Sequence, residues 1–179
     1  MRNLTLLARV VGRLAERGIP CALIGAEALA LRGVSRATAD RDLLATDLAA
    51  LDDALWRELG ETGVRVEVRR GDPDDPLAGV VRFDADEDRP VDLIIGRHAW
   101  QTRILQRSPL VDLEDVAIAV PSAADLVLLK LYAAGPQDAW DVAQLLNADD
   151  RETLIREVAA RLGELPADCR DLWEKLLPG

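Results

Sequence analysis

Asp40 and Asp42 are separated by one residue and lead into the apolar run Leu43-Leu44-Ala45. Side chains two apart on a strand share a face. The spacing therefore predicts two carboxylates side by side. Charges that close repel, and such a pair needs a cation or a proton. Oxygen-only ligands suit Mg²⁺, which commonly takes one or two carboxylates and completes its shell with substrate phosphates. A third acid, Asp92, interrupts the apolar segment Val91-Asp92-Leu93-Ile94-Ile95. A carboxylate in such a run needs a partner, and a strand lying beside 40–45 would bring it to the first two. The plainer alternatives are a solvated turn for Asp40-Arg41-Asp42 and a strand-edge aspartate facing water for Asp92.

The neighbouring segments set the frame for these acids. Cys21–Ile24 reads as a short strand buried on both faces, and Gly25–Leu31 as a short helix stopped by Gly33. The first amides of a helix attract phosphate, and a residue without Cβ lets one approach closely. An ordinary strand-to-helix turn explains Gly25 equally well. Lys130 falls on a helix that begins at Pro121-Ser122, with Ser122 as cap, Asp125 three residues on, and Leu126, Leu129 and Ala133 on one stripe. It either snorkels to solvent or directs a compact charge into a cleft. Past the break at Gly135-Pro136, Asp138 and Asp141 share a helical face. His98, the sole histidine, reads as a surface or helix-capping residue, since no orienting group accompanies it.

Other elements follow from periodicity. Residues 3–17 predict a helix with Leu4, Leu7, Val11 and Leu14 inward. Asp47 should cap a helix striped by Leu48, Leu51, Leu55 and Leu59. Val64, Val66 and Val68 alternate with Arg65, Glu67 and Arg69, a half-buried strand. Residues 71–76 form a turn-rich loop, 80–83 a strand, 84–90 an acidic exposed stretch, and 96–106 a helix with Trp100 and Ile104 inward. A hairpin turns at Glu114-Asp115. Asp149 or Asp150 starts a helix running through Leu162, and 167–177 form a last one.

The 179 residues carry a net charge of −10, which argues against a broad nucleic-acid surface. It leaves room for a local basic groove built from Arg32, Arg36, Arg41, Arg65, Arg69 and Arg70. The two cysteines, Cys21 and Cys169, have no CxxC spacing and sit beside apolar residues, as small core side chains do in a reducing compartment. Arg2, Arg9, Arg13 and Glu16 leave no uncharged signal-peptide core. No apolar stretch approaches ~20 residues, so no membrane span is expected. A cytoplasmic protein is expected, in which the Asn3-Leu4-Thr5 sequon has little meaning. No P-loop, GxGxxG, HExxH or GxSxG pattern occurs.

The order of motifs adds a resemblance. The strand–Gly25–helix unit is followed by Gly33-Val-Ser-Arg36-Ala-Thr38-Ala-Asp40-x-Asp42-Leu-Leu, then the strand aspartate Asp92. Val120-Pro-Ser-x-x-Asp-Leu-x-x-x-Lys130 and Asp138-x-x-Asp141-Val come next. Over about residues 5–147 this resembles the small nucleotidyltransferase-fold proteins of the polymerase-beta superfamily, particularly AbiEii-type toxins and minimal antibiotic nucleotidyltransferases. The resemblance implies an α/β (α+β) nucleotidyltransferase fold: a small mixed sheet backed by helices (1–120), then a helical C-terminal portion (121–179) packed on it as one compact unit. It implies that Asp40, Asp42 and Asp92 bind two Mg²⁺ or Mn²⁺ ions, with Asp92 as base. Gly25, Ala26 and the residues after them would hold the triphosphate of an NTP. Lys130 would bind nucleotide, Arg36 would sit near the phosphates or pair with an acid, and Asp138 and Asp141 would orient lysine or acceptor.

This chain departs from the family at two positions. It has Gly25-Ala26 where Gly-Gly or Gly-Ser is usual, and Arg41 where an apolar residue usually separates the aspartates. Arg41 would reach solvent at an edge or form a salt bridge that competes with metal. Two readings follow. One is a Mg²⁺-dependent nucleotidyltransferase acting on a small molecule, RNA or protein, in a toxin or antibiotic-modifying role. The other is a binding or regulatory module that keeps the fold with weakened chemistry and pairs with a cognate antitoxin or neighbouring-gene protein. A metal-dependent phosphohydrolase would use the same acids but finds no histidine cluster.

Overall fold

The computed structural model describes residues 4–148 and 150–177. Arg2, Asn3 and Asp149 lie outside them. Seven strands form one mixed sheet: β1 (Cys21–Ile24), β2 (Arg41–Ala45), β3 (Arg65–Arg70), β4 (Leu77–Asp84), β5 (Val91–Gly96), β6 (Leu110–Leu113) and β7 (Val116–Ala119), in spatial order β3-β4-β5-β2-β1-β7-β6. β2 runs antiparallel to β1 and parallel to β5, and the ladder sets Asp42 opposite both Ile24 and Asp92. β4 runs antiparallel to β5 and sets Arg82 opposite Asp92.

Alternation divides the sheet into two faces. Leu23, Leu43, Ala45, Val81, Phe83, Leu93 and Ile95 join the main core with α1 (Leu6–Glu16). That helix is capped by Thr5 and buries Leu7, Val11 and Leu14 of the predicted stripe, but Leu4 precedes the cap and is exposed. The opposite face holds a smaller cluster of Ala22, Ile24, Leu44 and Ile94, covered by Leu105 of α4 (Ala99–Arg107) and Leu129 of α5 (Ala123–Ala133). Asp42 and Asp92 belong to this second face by parity. The remaining helices are α2 (Gly25–Ala30), α3 (Arg57–Glu61), α6 (Pro136–Ala148), α7 (Arg151–Arg161) and α8 (Ala167–Leu176). Asp150 caps α7.

Three expectations need revision. The helix expected over 48–59 is two 3₁₀ turns, Leu48–Leu51 and Asp53–Trp56, followed by the short α3. Asp47 caps the first turn, as expected, but Asp52 caps the second by accepting from Ala54 N–H. A local aspartate acceptor competes with helix continuation, and Leu48 is left exposed. The helix expected from residue 96 starts at Ala99, because Gly96 is still paired with Leu77. Strand 80–83 extends to Leu77–Asp84, paired on both sides by β3 and β5.

Helix α5 is tied to α4 and α7 by buried charge. Ser122 caps α5 by accepting from Asp125 N–H. The Asp125 carboxylate, 1 % exposed, accepts from Arg107 of α4 and from Arg161 of α7. Arg107 is raised above its ordinary pKa, chiefly by its hydrogen bond to Asp125. Removing one side of a buried ion pair leaves the other uncompensated. Asp125→Ala is expected to cost about 3 kcal/mol and to lower Tm by roughly 6–12 °C. Thermal unfolding followed by circular dichroism checks this.

Candidate active site

Asp42 is the centre of the site. Its carboxylate occupies the space a Cβ on Gly25 would need: an added Cβ would lie 2.0 Å from Asp42 Oδ2. Gly25 also has φ +66°, a conformation that side-chained residues rarely adopt. The open side of Gly25 is thus taken up by an aspartate. Among the described residues, no hydrogen bond or ion pair reaches the Asp42 carboxylate. Burial raises its pKa first, the charge of Asp92 second and that of Asp40 less, while Lys130 and Arg36 oppose the shift.

Asp40 precedes β2 by one residue, and its own carbonyl accepts from Thr38 and Arg89. Asp92 stands beside Asp42 on the adjacent parallel strand, about 4.8 Å away across the ladder. Burial raises the pKa of Asp92, Asp40 adds to the shift, and Arg82 opposes it. Arg82 Nη1 donates to Asp92 Oδ2 at 2.9 Å and reaches Asp40 Oδ2 at 3.5 Å. Arg82 Nε lies 3.3 Å from Asp84. Among the described residues, no three acids, histidines or cysteines are already gathered as a metal-binding group. The donor set nevertheless fits a hard divalent cation. All three groups are carboxylates, they share one sheet face, and Asp42 lacks a partner.

A second cluster faces them. Lys130 Nζ lies 2.8 Å from both Asp138 Oδ1 and Asp141 Oδ2. Arg36 Nε donates to Asp141 Oδ1 at 3.1 Å. Burial alone would lower the lysine's pKa, but its bonds to Asp138 and Asp141 outweigh that and raise it. Lys130 therefore stays charged. Its field and that of Arg36 reach Asp42, which joins the two clusters electrostatically. Arg36 takes the acid-pairing alternative. Ala26 is buried, so α2 offers no side-chain donor beside Gly25.

Arg41 points to the other face, where only 4 % of the residue is exposed. It hydrogen-bonds Glu114 of the β6–β7 hairpin and pairs with Glu27 of α2 at 3.2 Å. Burial works against its charge, but Glu114 and Glu27 raise its pKa. Of the outcomes expected for Arg41, the salt bridge forms, but with Glu27 and Glu114 on the face away from the candidate metal ligands. It does not reach solvent, and strand parity keeps it away from the acid cluster.

Of the candidate arginines, Arg69 and Arg70 line one groove together with Arg82 and the acids Glu67, Asp75 and Asp92. Arg32 donates to Val120 and Pro121 carbonyls, Arg65 faces Asp86, Arg69 pairs with Glu67, and Arg70 pairs with Asp53. His98 sits at the N-cap of α4, with Nε2 2.6 Å from the Tyr132 hydroxyl. Beside Asp92 and Arg82 lies a groove of about 340 Å³, bounded by Glu67, Arg69, Val80 and Pro76. Arg82 is the one residue of the site absent from the sequence-based set. Its only sequence signal is a charge set between Val81 and Phe83, which puts it on the wet face of its strand. The ladder register that pairs it with Asp92 is not visible in one sequence.

With this geometry in hand, similar proteins are informative. No protein-family model matches the chain, and no curated protein matches it by sequence. Solved structures do match. The antibiotic-resistance factor ANT(2'')-Ia in solution aligns with TM-score 0.54 at 15% identity, over 88% of this chain and 90% of that one. Its crystal structure with adenylyl-2''-tobramycin aligns at 0.55 and 14%, over 88% and 95%. An antigenic nucleotidyltransferase-like protein from Paracoccidioides brasiliensis aligns at 0.52 and 16%, over 96% and 85%. The chain has the nucleotidyltransferase fold. At such identities the likeness is one of fold, and the mixed sheet with its covering helices is what is shared. Among the described residues, no helix of this nucleotidyltransferase-fold chain is long and apolar enough to cross a membrane.

Two outcomes follow from the Gly25–Asp42 contact. Gly25→Ala adds a disfavoured left-handed φ and a clash with Asp42, and is expected to cost roughly 2–3 kcal/mol in chemical denaturation. Asp42→Asn should stabilise the metal-free protein. A carboxylate whose pKa is raised on folding weakens the native state once the unfolded aspartate ionises, above about pH 3.9. The gain in Tm should therefore be small near pH 4 and reach about 2–4 °C at pH 7, for about 1 kcal/mol. Differential scanning calorimetry in EDTA at both pH values reads it, and an unchanged or lower Tm at pH 7 contradicts it.

Proposed function

We propose that this chain is a divalent-metal-dependent nucleotidyltransferase, moving a nucleotidyl group from an NTP to a hydroxyl or phosphate on an acceptor, with pyrophosphate as the leaving group. The observation that carries the reading is the unpartnered Asp42 carboxylate, held against Gly25 on one sheet face with Asp40 and Asp92. An arrangement that raises the pKa of two neighbouring carboxylates destabilises the empty protein, and functional sites are where such costs are retained.

In this reading Asp40 and Asp42 hold Mg²⁺ or Mn²⁺, and Asp92 both ligates and orients the attacking hydroxyl, accepting its proton. Bound divalent cations would supply charge neutralisation at the triphosphate and a more acidic acceptor hydroxyl. The Cβ side of Gly25, expected to admit a phosphate, is filled by the Asp42 carboxylate, so the groups proposed to meet the triphosphate are the first main-chain N–H groups of α2, which no side chain caps. Lys130, kept protonated by Asp138 and Asp141, and Arg36 contribute positive field toward the same point. Asp141 anchors both cations.

The groove beside Asp92 has a volume suited to a small-molecule acceptor. ANT(2'')-Ia, whose crystal structure holds adenylyl-2''-tobramycin, is a precedent for such an acceptor on this fold. The finer likeness to AbiEii-type toxins, with an antitoxin partner, rests on motif order alone. The weakened-module reading loses one of its motives, because Arg41 faces away from the acids and binds Glu114 and Glu27 instead.

The test is transfer from labelled NTPs with Mg²⁺ across small-molecule, RNA and protein acceptors, together with calorimetry of NTP–Mg²⁺ binding. The expected result is activity lost in EDTA and about 10²–10⁴-fold lower turnover in Asp92→Asn. Nucleotide binding should be retained in Asp92→Asn and weakened in Lys130→Ala. Absence of metal-dependent NTP binding in the wild type would overturn the reading.

A further inference from the structure

We propose that Arg82 is the resident counter-ion of the acid cluster: its guanidinium fills the space between Asp40 and Asp92 that a divalent cation would take, and a cation binds by displacing it. The inference rests on the nucleotidyltransferase reading and adds a residue that regulates metal occupancy. One nitrogen, Nη1, is shared between Asp92 Oδ2 and Asp40 Oδ2 at 2.9 and 3.5 Å. A single positive atom bridging two carboxylates stands where a bridging ion stands. It is not a peripheral donor that steadies one ligand from behind.

The side chain also has somewhere to go. Arg82 lines the groove beside Asp92, and its ladder partner on the far side is Glu67. Its Nε is already near Asp84. A swing about the outer torsions would exchange Asp40 and Asp92 for Asp84 and for Glu67, shared with Arg69, keeping the guanidinium paired. Asp42, beside them without a partner, is left as the carboxylate at which a cation can first dock. Without Arg82, three acids on one face would keep only the more distant fields of Arg69, which pairs with Glu67, and of Lys130 and Arg36, which are committed to Asp138 and Asp141.

The opposite role predicts the opposite sign. Outer partners that support ligating groups typically raise metal affinity, and losing them costs about 10–100-fold. The experiment titrates the full chain with Mn²⁺ at low ionic strength, reading free Mn²⁺ by electron paramagnetic resonance. Wild type, Arg82→Gln and Arg82→Lys are compared, with folding checked by circular dichroism. The displacement model expects Arg82→Gln to bind Mn²⁺ at least about tenfold more tightly, because like charges ~4 Å apart repel strongly even near a protein surface. Arg82→Lys, which keeps the charge, should fall closer to wild type. Equal or weaker binding by Arg82→Gln overturns the proposal while leaving the enzymatic reading intact. Failure of all three proteins to bind Mn²⁺ overturns both.

A measurement on the wild type guards against an unfolded variant. The Arg82 Nε–H resonance, assigned by its loss in Arg82→Lys, should shift and saturate with Mg²⁺ addition. A resonance that stays fixed while Mg²⁺ binds overturns displacement.

Discussion

Crowding of like charge at the ends of two parallel strands is the constraint on which this structure turns. Register alone sets Asp42 beside Asp92, and parity sends both to the face that α4 and α5 leave uncovered at that end. The protein does not relieve the strain by hydrogen-bonding Asp42. It brings the carboxylate against a glycine that has no Cβ, where even a methyl group would collide. The rest of the site can be read as a response to that charge. Arg82 bridges two of the acids, while Lys130 on α5 and Arg36 in the loop between α2 and β2 project field without touching Asp42.

The helical portion is needed for that response. Lys130 belongs to α5, and Asp138 and Asp141 belong to α6, so the cationic half of the site exists only when these helices sit on the sheet. Asp125 secures that seating through arginines from α4 and α7. Asp141 is fully buried yet serves two cations at once, which fixes the lysine's position and keeps it protonated. A buried ion cluster of this kind is weak evidence for added stability, and its better explanation is positional.

Much of this was legible from one sequence because the deciding signals are local. Asp40-x-Asp42 gives a shared face from spacing alone, an acid within an apolar strand calls for a partner, and Gly25 marks a strand-to-helix turn. The strands, the hairpin at Glu114 and the caps at Ser122 and Asp150 follow from periodicity and capping chemistry, whereas the cap at Thr5 lies inside the span expected as helix. What was not legible depends on pairing between distant segments. Arg82 looks like any wet-face arginine until β4 is registered against β5. The break of 48–59 into 3₁₀ turns depended on Asp52 preferring its own local amide, a competition that leucine spacing does not reveal.

Arg41 and Arg82 show why residue type alone could not decide function here. Both are arginines of one sheet, on strands separated by β5, and both lie close in sequence or space to the same aspartates. Arg41 is adjacent to Asp40 and Asp42 in the chain, but the period of two turns it through the sheet, into a buried pairing with Glu27 and Glu114 that ties β2 to α2 and to the hairpin. Arg82 is forty residues away in sequence, but parity and ladder register deliver its charge to the carboxylates. A positive residue between two candidate metal ligands is therefore compatible with cation binding, because its side chain lies on the other face. The charge that competes with a metal ion is the one that strand pairing brings to the same face.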